Sequence, residues 1–241
     1  KTLLLANKES LVAEGYKLGK YLEQIIPIDS EHNAIYEILK KFPSKKIREI
    51  TLPCSGGPFY KYSKNELSKI TAKQALNHPR WNMGEKVSIE SATLINKGLE
   101  IIEAHYLFNL PLSKIKVKIH PECQIHGIVK FTDNTEYAYL SRPDMREHIE
   151  NALLRAIGET PKHLKITTTK NLKFKLSPPD HNKLPGIRAV LNAFKKNPKT
   201  MKKILQKEEE LINQFLQGRI RFDQILVTLQ NRLNYATIRH C

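Results

Sequence analysis

The stretch Ile25-Ile26-Pro27-Ile28-Asp29-Ser30-Glu31-His32-Asn33-Ala34-Ile35 passes from an apolar run through an acidic pair into a helical pattern. Ile26-Pro27-Ile28 reads as extended, because proline disfavours helix at the residue before it. Asn33 to Lys41 then reads as a short helix. Upstream, Thr2 to Ala6 has the pattern of a short buried strand. Lys8 to Ile25 has that of a helix with Leu11, Tyr16, Leu18, Leu22 and Ile25 on its apolar side. Strand and helix in alternation predict an α/β chain.

The same reading extends downstream. Ile47 to Leu52 predicts a strand that ends at the turn Ser55-Gly56-Gly57-Pro58. Ser91 is expected to open a long helix through Phe108. Lys114 to His120 alternates Ile115, Val117 and Ile119 with lysines, as a half-buried strand does. Gln124 to Phe131 and Glu136 to Leu140 bracket Asp133-Asn134 as a hairpin. Lys162 to Pro185 is rich in Lys and Pro without a sustained period, so residues 155–185 read as a linker holding at most a strand at Lys170 to Leu176. Beyond it, Arg188 to Lys195, Thr200 to Gln217 and Phe222 to Asn234 read as helices.

Composition narrows the function classes. At 241 residues, 40% hydrophobic and 27% charged, the chain suits one large or two modest globular domains. No apolar run approaches the roughly 18 residues of a membrane span, and Lys1 is followed by no secretory leader. Lys and Arg total 40 against 24 acidic residues, a net charge of +16. Such a surplus suits nucleic acid, an anionic surface or a phosphorylated small molecule. The lysines are scattered in pairs, however, and aromatic content is only 7%. No nucleic-acid or membrane partner is therefore expected. Cys54, Cys123 and Cys241 have no CxxC spacing, form neither a disulfide framework nor a zinc site, and fit a reducing compartment.

Four stretches carry chemistry. In an extended conformation Asp29 and Glu31 share a face, and two hard oxygen ligands so placed suit Mg²⁺ or Mn²⁺. On the helix from Ser91, Asn96 and Glu100 are i, i+4 while Lys97 and Glu100 are i, i+3, so the three meet on one face, with Glu103 a turn on. Without context, a Lys–Glu pair of this kind is an ordinary surface pair. Ser55-Gly56-Gly57-Pro58-Phe59 lets backbone N–H groups approach an anion, and its lack of a G-x-S-x-G elbow excludes a nucleophilic serine. His78-Pro79-Arg80-Trp81-Asn82-Met83-Gly84 places the only Trp beside His, Arg and a flexible Gly, as in a lid.

The ordered set is more specific than its members. Asn7-Lys-Glu-Ser-Leu-Val12, Asp29-Ser-Glu-His-Asn-Ala-Ile35, Ser55-Gly-Gly-Pro-Phe59 and the His78–Gly84 segment come first. Ser91-Ala-Thr-Leu-Ile-Asn-Lys-Gly-Leu-Glu100, His120-Pro121 and Pro143-Asp144-Met145 follow. Together they resemble the 1-deoxy-D-xylulose 5-phosphate reductoisomerase family, densely from Leu3 to Met145 and thinly beyond. The resemblance implies an NADPH-dependent enzyme of non-mevalonate isoprenoid biosynthesis. It would rearrange its substrate with metal assistance and then reduce the product with hydride, giving 2-C-methyl-D-erythritol 4-phosphate. A homodimer in the cytoplasm, or in a plastid where the organism has one, is likewise implied.

By that resemblance Asp29, Glu31 and Glu100 are the Mg²⁺ or Mn²⁺ ligands and, with Lys8, the catalytic residues. Ser30, Ser55, His78, Trp81, Ser91, Asn96, Lys97 and His126 contact substrate, and Asn7, Met83, Gly84 and Met145 contact NADPH. Glu90 stands where the family has Asp, Arg80 where it has Asn, and Gly127 where it has Ser. Glu208-Glu209-Glu210 lies near a family Asn-Glu pair. No G-x-G-x-x-G turn occurs in the chain. The expected organisation is thus the end of an NADPH-binding, Rossmann-like domain at 1–28 and a mixed-sheet catalytic domain at 29–154. A linker at 155–185 and a small helical domain at 186–241 follow. The competing expectation is a truncated, inactive homologue that binds phosphate or nucleic acid.

Overall fold

The structure, a computed structural model, describes residues 1–235 apart from 79 and 82; Cys241 and two members of the His78–Gly84 stretch thus lie outside the described residues. In chain order the elements are β1 (Leu3–Leu5), α1 (Lys8–Glu14), β2 (Ile25–Pro27), α2 (Ser30–Lys41), β3 (Ile47–Cys54), α3 (Lys64–Leu67), α4 (Ala72–Leu76), α5 (Glu85–Thr93) and α6 (Ile95–Leu107). They continue with β4 (Ile115–Ile119), β5 (Ile125–Phe131), β6 (Glu136–Leu140), α7 (Met145–Ala156), β7 (Ile166–Thr168), α8 (Gly186–Lys196), α9 (Met201–Leu216) and α10 (Phe222–Tyr235). No described helix is long and apolar enough to cross a membrane.

The chain forms two compact units, each stitched from three segments. One holds residues 1–8, 17–55 and 103–178, and the other 9–16, 56–102 and 179–241. The first unit is built on a five-stranded sheet of order β4-β3-β5-β6-β7. It is mixed: β3 runs parallel to β4, with Ile50 opposite Ile115, and the remaining pairs are antiparallel. The α/β mixed-sheet class is therefore observed. α2 lies on β5, so closely that a Cβ on Gly127 would fall 2.9 Å from Ile35 Cγ1. That approach explains a glycine after His126. Ile35, Ile38, Ile50, Leu52, Val129 and Phe131 are fully buried between helix and sheet. β1 and β2 make a separate parallel pair.

In the second unit, Phe59 and Phe215 both meet Phe222 edge-on at 5.2 and 5.7 Å. Leu11, Val12, Ile89, Ala92, Ile187 and Val190 complete its core.

Four expectations need correction. The helix from Lys8 stops at Glu14 and gives way to 3₁₀ turns at Gly15–Lys17 and Gly19–Gln24, since glycines interrupt it and Gly19 adopts φ +46°. α2 starts at Ser30 rather than Asn33, so Glu31 is helical and no longer alternates with Asp29. Ser91 does not open a helix; it lies within α5, which ends where Leu94 turns left-handed at φ 60° before α6 begins. Residues 170–176 form no named strand, and Leu172, Phe174 and Leu176 pack against Ile125, Ile128 and Ala138 instead of spanning a gap.

Candidate active site

In the first unit the site grows from the junction of β2 and α2. Asp29 is the residue before α2, yet its carboxylate caps no backbone N–H. It faces Lys8 instead, with Nζ 2.6 Å from Oδ2. His32, one turn into α2 and fully buried, lies 3.8 Å from Asp29 Oδ1 and 3.4 Å from Glu103 Oε2. Burial alone would raise the Asp29 carboxyl; the charge of Lys8, with His32 alongside, overcomes it and holds the group well below the usual carboxylate range. Asp29 is thus a fixed anion. Ser30, also buried, donates its hydroxyl to Glu31 Oε2 at 2.5 Å.

Behind this junction runs a buried polar chain. Asn33 donates to Pro27 O at 3.1 Å, and its side-chain oxygen accepts from Asn151 Nδ2 and meets His148 Nδ1, both at 3.2 Å. Asn151 also donates to the Tyr139 hydroxyl at 2.8 Å, and Tyr139 donates to Glu147 Oε1 at 2.7 Å. The chain locks α2, α7 and β6 in one register. The His126 ring sits 4.8 Å from that of His148. Burial pushes His148 down to about 3 and lowers His126, so both rings are neutral at ordinary pH. Ser55 is buried at the end of β3, Asn7 is exposed, and Met145 opens α7 half-buried.

The second unit has a polar group of its own. In the first turns of α6, Asn96 Nδ2 donates to Glu100 Oε1 and Lys97 Nζ to Glu100 Oε2, each at 2.5 Å. Lys97 and Glu100 are 3% and 1% exposed, so the pair is interior rather than a solvated surface pair. Its placement depends on the α5–α6 break. Gly57, at φ +71°, lies so near α5 that a Cβ there would sit 2.8 Å from Ser91 O, and a Cβ on Gly186 would sit 2.2 Å from Thr93 O. Two glycine backbones therefore clamp the junction that carries Ser91 and Asn96. His78 Nδ1 accepts the backbone N–H groups of Arg80 and Trp81 at 3.2 and 3.0 Å, and burial pushes its ring down to about 4. Trp81 and Met83 are half-buried, and Gly84 precedes α5. On α5, Lys86 binds Glu90 and Glu9 at 2.5 and 3.0 Å.

The structure thus brings together Lys8 with Asp29, Ser30 with Glu31, and Asn96 and Lys97 with Glu100. Sequence reasoning missed His148 and Asn151 because α7 was not read as a helix, and missed His32 on α2 and Tyr139 on β6 because their partners lie on other elements. The i, i+3 spacing of His148 and Asn151 was the available signal.

Two family models match the chain: a 1-deoxy-D-xylulose 5-phosphate reductoisomerase C-terminal domain over residues 25–108, and a DXP reductoisomerase C-terminal domain over 140–240. The 1-deoxy-D-xylulose 5-phosphate reductoisomerase of Sulfurihydrogenibium sp. (strain YO3AOP1) is 44% identical over 227 residues, covering 93% of this chain and 60% of that protein. The enzyme of the same name from Persephonella marina is 44% identical over 238 residues, covering 98% and 63%. A crystal structure of DOX-P reductoisomerase in complex with NADPH, fosmidomycin and magnesium superposes with a TM-score of 0.84 at 36% identity, over 99% of this chain and 62% of that one. The chain therefore spans about three fifths of the length of these relatives.

Proposed function

From the premise that the chain belongs to the 1-deoxy-D-xylulose 5-phosphate reductoisomerase family, we propose that it is the catalytic part of an NADPH-dependent enzyme converting 1-deoxy-D-xylulose 5-phosphate to 2-C-methyl-D-erythritol 4-phosphate. The observation that carries this reading is the Asp29 carboxylate, which is kept from its capping role and held ionised by Lys8.

Asp29, Glu31 and Glu100 are the ligands proposed for Mg²⁺ or Mn²⁺. The donor set fits: all are hard carboxylate oxygens, Asp29 is a fixed anion, and Glu100 is oriented by Asn96 and Lys97. When bound, the cation would polarise the carbonyl and hydroxyl oxygens of the sugar. The protein's own groups do the rest. Lys8, beside Asp29, supplies an ammonium for a substrate hydroxyl. The Ser30 hydroxyl contacts the sugar backbone. Ser55, Ser91, Asn96, Lys97 and His78 offer hydroxyl, amide, ammonium and imidazole donors suited to a phosphate dianion. Trp81 covers the bound substrate, and neutral His126 orients it. Asn7, Met83, Gly84 and Met145 line the nicotinamide. In this reading the catalytic region begins at Asp29, and residues 1–28 close the cofactor-binding region.

Calorimetric titration of Mn²⁺ into the wild type and Asp29→Ala, Glu31→Ala and Glu100→Ala tests the ligand assignment. Each change is expected to weaken binding at least tenfold; unchanged affinity in all three would overturn it.

A further inference from the structure

Glu208 on α9 and Glu90 on α5 are each 1% exposed. Lys86, one turn before Glu90, places its Nζ 2.5 Å from Glu90 Oε1, 3.0 Å from Glu9 Oε1 and 3.9 Å from Glu208 Oε2. Three carboxyl groups, two from α5 and α9 and one from α1, share one ammonium. If all three ionised, two negative charges would stand uncompensated, at least one of them deep in the interior. Lys86 is already committed to Glu90 and Glu9 by hydrogen bonds. Both carboxyl oxygens of Glu208 are buried and accept no hydrogen bond, and two carboxyl groups can bond to each other only when one carries a proton. Glu208, the more distant from the ammonium, is the group to carry it.

We propose that Glu208 is held as a neutral carboxylic acid whose proton bridges to the Glu90 carboxylate, clasping α9 to α5 and so positioning the helix that presents Ser91. Burial and the charge of Glu90 push the Glu208 carboxyl well above the carboxylate range, with Lys86 pulling the other way and Glu9 adding to the rise. Only the clause about Ser91 rests on the proposed function; the clasp stands without it.

Infrared difference spectra of the wild type against Glu208→Gln test the clasp directly. A protonated-carboxyl stretch is expected at neutral pH in the wild type, lost on raising the pH and missing from the variant. Stability should follow. An acid whose native value is raised stabilises fully below the ordinary glutamate range, and its contribution is lost as pH rises through the native value. The wild type should therefore lose stability toward alkaline pH, Glu208→Gln should not, and Glu208→Ala should be weaker throughout. Absence of the wild-type band overturns the clasp, even if no variant folds. Parallel stability curves for wild type and Glu208→Gln also overturn it. For the positioning role, affinity for inorganic phosphate should fall severalfold in Glu208→Ala and return in Glu208→Gln. A band present with phosphate affinity unchanged in Glu208→Ala would overturn that role. A wild type that binds no phosphate would count against the proposed function and leave the clasp standing.

Discussion

Lys97 shows how much a single burial value changes an interpretation. From spacing alone, Lys97 and Glu100 are a helical surface pair worth a few tenths of a kcal/mol. At 3% and 1% exposed they are instead two charges taken out of water, an arrangement that favours function or specificity over stability. If Lys97 holds phosphate, Lys97→Ala should weaken binding of the phosphorylated sugar by about 1.5–3 kcal/mol, the range for a hydrogen bond to a charged group. A dephosphorylated analogue should be affected far less. Calorimetry with the two ligands decides the matter: equal losses would reduce Lys97 to a packing residue.

At the scale of elements, β3 to β6 of the mixed sheet were readable because alternation is a property of neighbours in sequence, whereas the three-residue β7 fell in the stretch read as a linker. Ile115, Val117 and Ile119 announce β4, and Asp133-Asn134 announces the β5–β6 turn. The α5–α6 break was not readable. Its left-handed residue is Leu94, a conformation costing a non-glycine residue roughly 1–2 kcal/mol, and the glycines that allow it are distant in sequence at Gly57 and Gly186. The pairing of Asn96 and Lys97 with Glu100 was legible because all three share one turn of α6. The polar chain from Asn33 to Glu147 joins elements about a hundred residues apart, and apart from the i, i+3 spacing of His148 and Asn151 local pattern carries no trace of it. The clamp is open to measurement. Gly186→Ala would drive a methyl into the Thr93 carbonyl at 2.2 Å, and we expect a loss of about 1–3 kcal/mol, seen as a lower urea midpoint at unchanged slope. Gly84→Ala, whose added Cβ meets nothing within 4 Å, should leave the midpoint in place. Equal behaviour of the two variants would dismiss the clamp.

For the whole molecule, hydride transfer requires the nicotinamide to be held near the substrate carbonyl, and orientation of that kind supplies much of the rate. These 241 residues contain no G-x-G-x-x-G turn for a dinucleotide pyrophosphate. By themselves they are expected to bind metal and sugar phosphate weakly and to oxidise NADPH negligibly. Absorbance of NADPH in the presence of sugar phosphate and Mn²⁺ checks this, and robust turnover by the 241 residues alone would overturn it. The three-segment make-up of each unit also has a consequence during synthesis. The second unit needs residues 9–16, yet its last segment starts only at 179. At about 5–20 residues per second, a ribosome takes roughly 10 to 30 seconds to add the intervening residues. Throughout that delay Leu11 and Val12, buried in the finished unit, have no complete core to enter. The nascent chain thus carries an apolar segment that a holding chaperone would meet before its own partners are made.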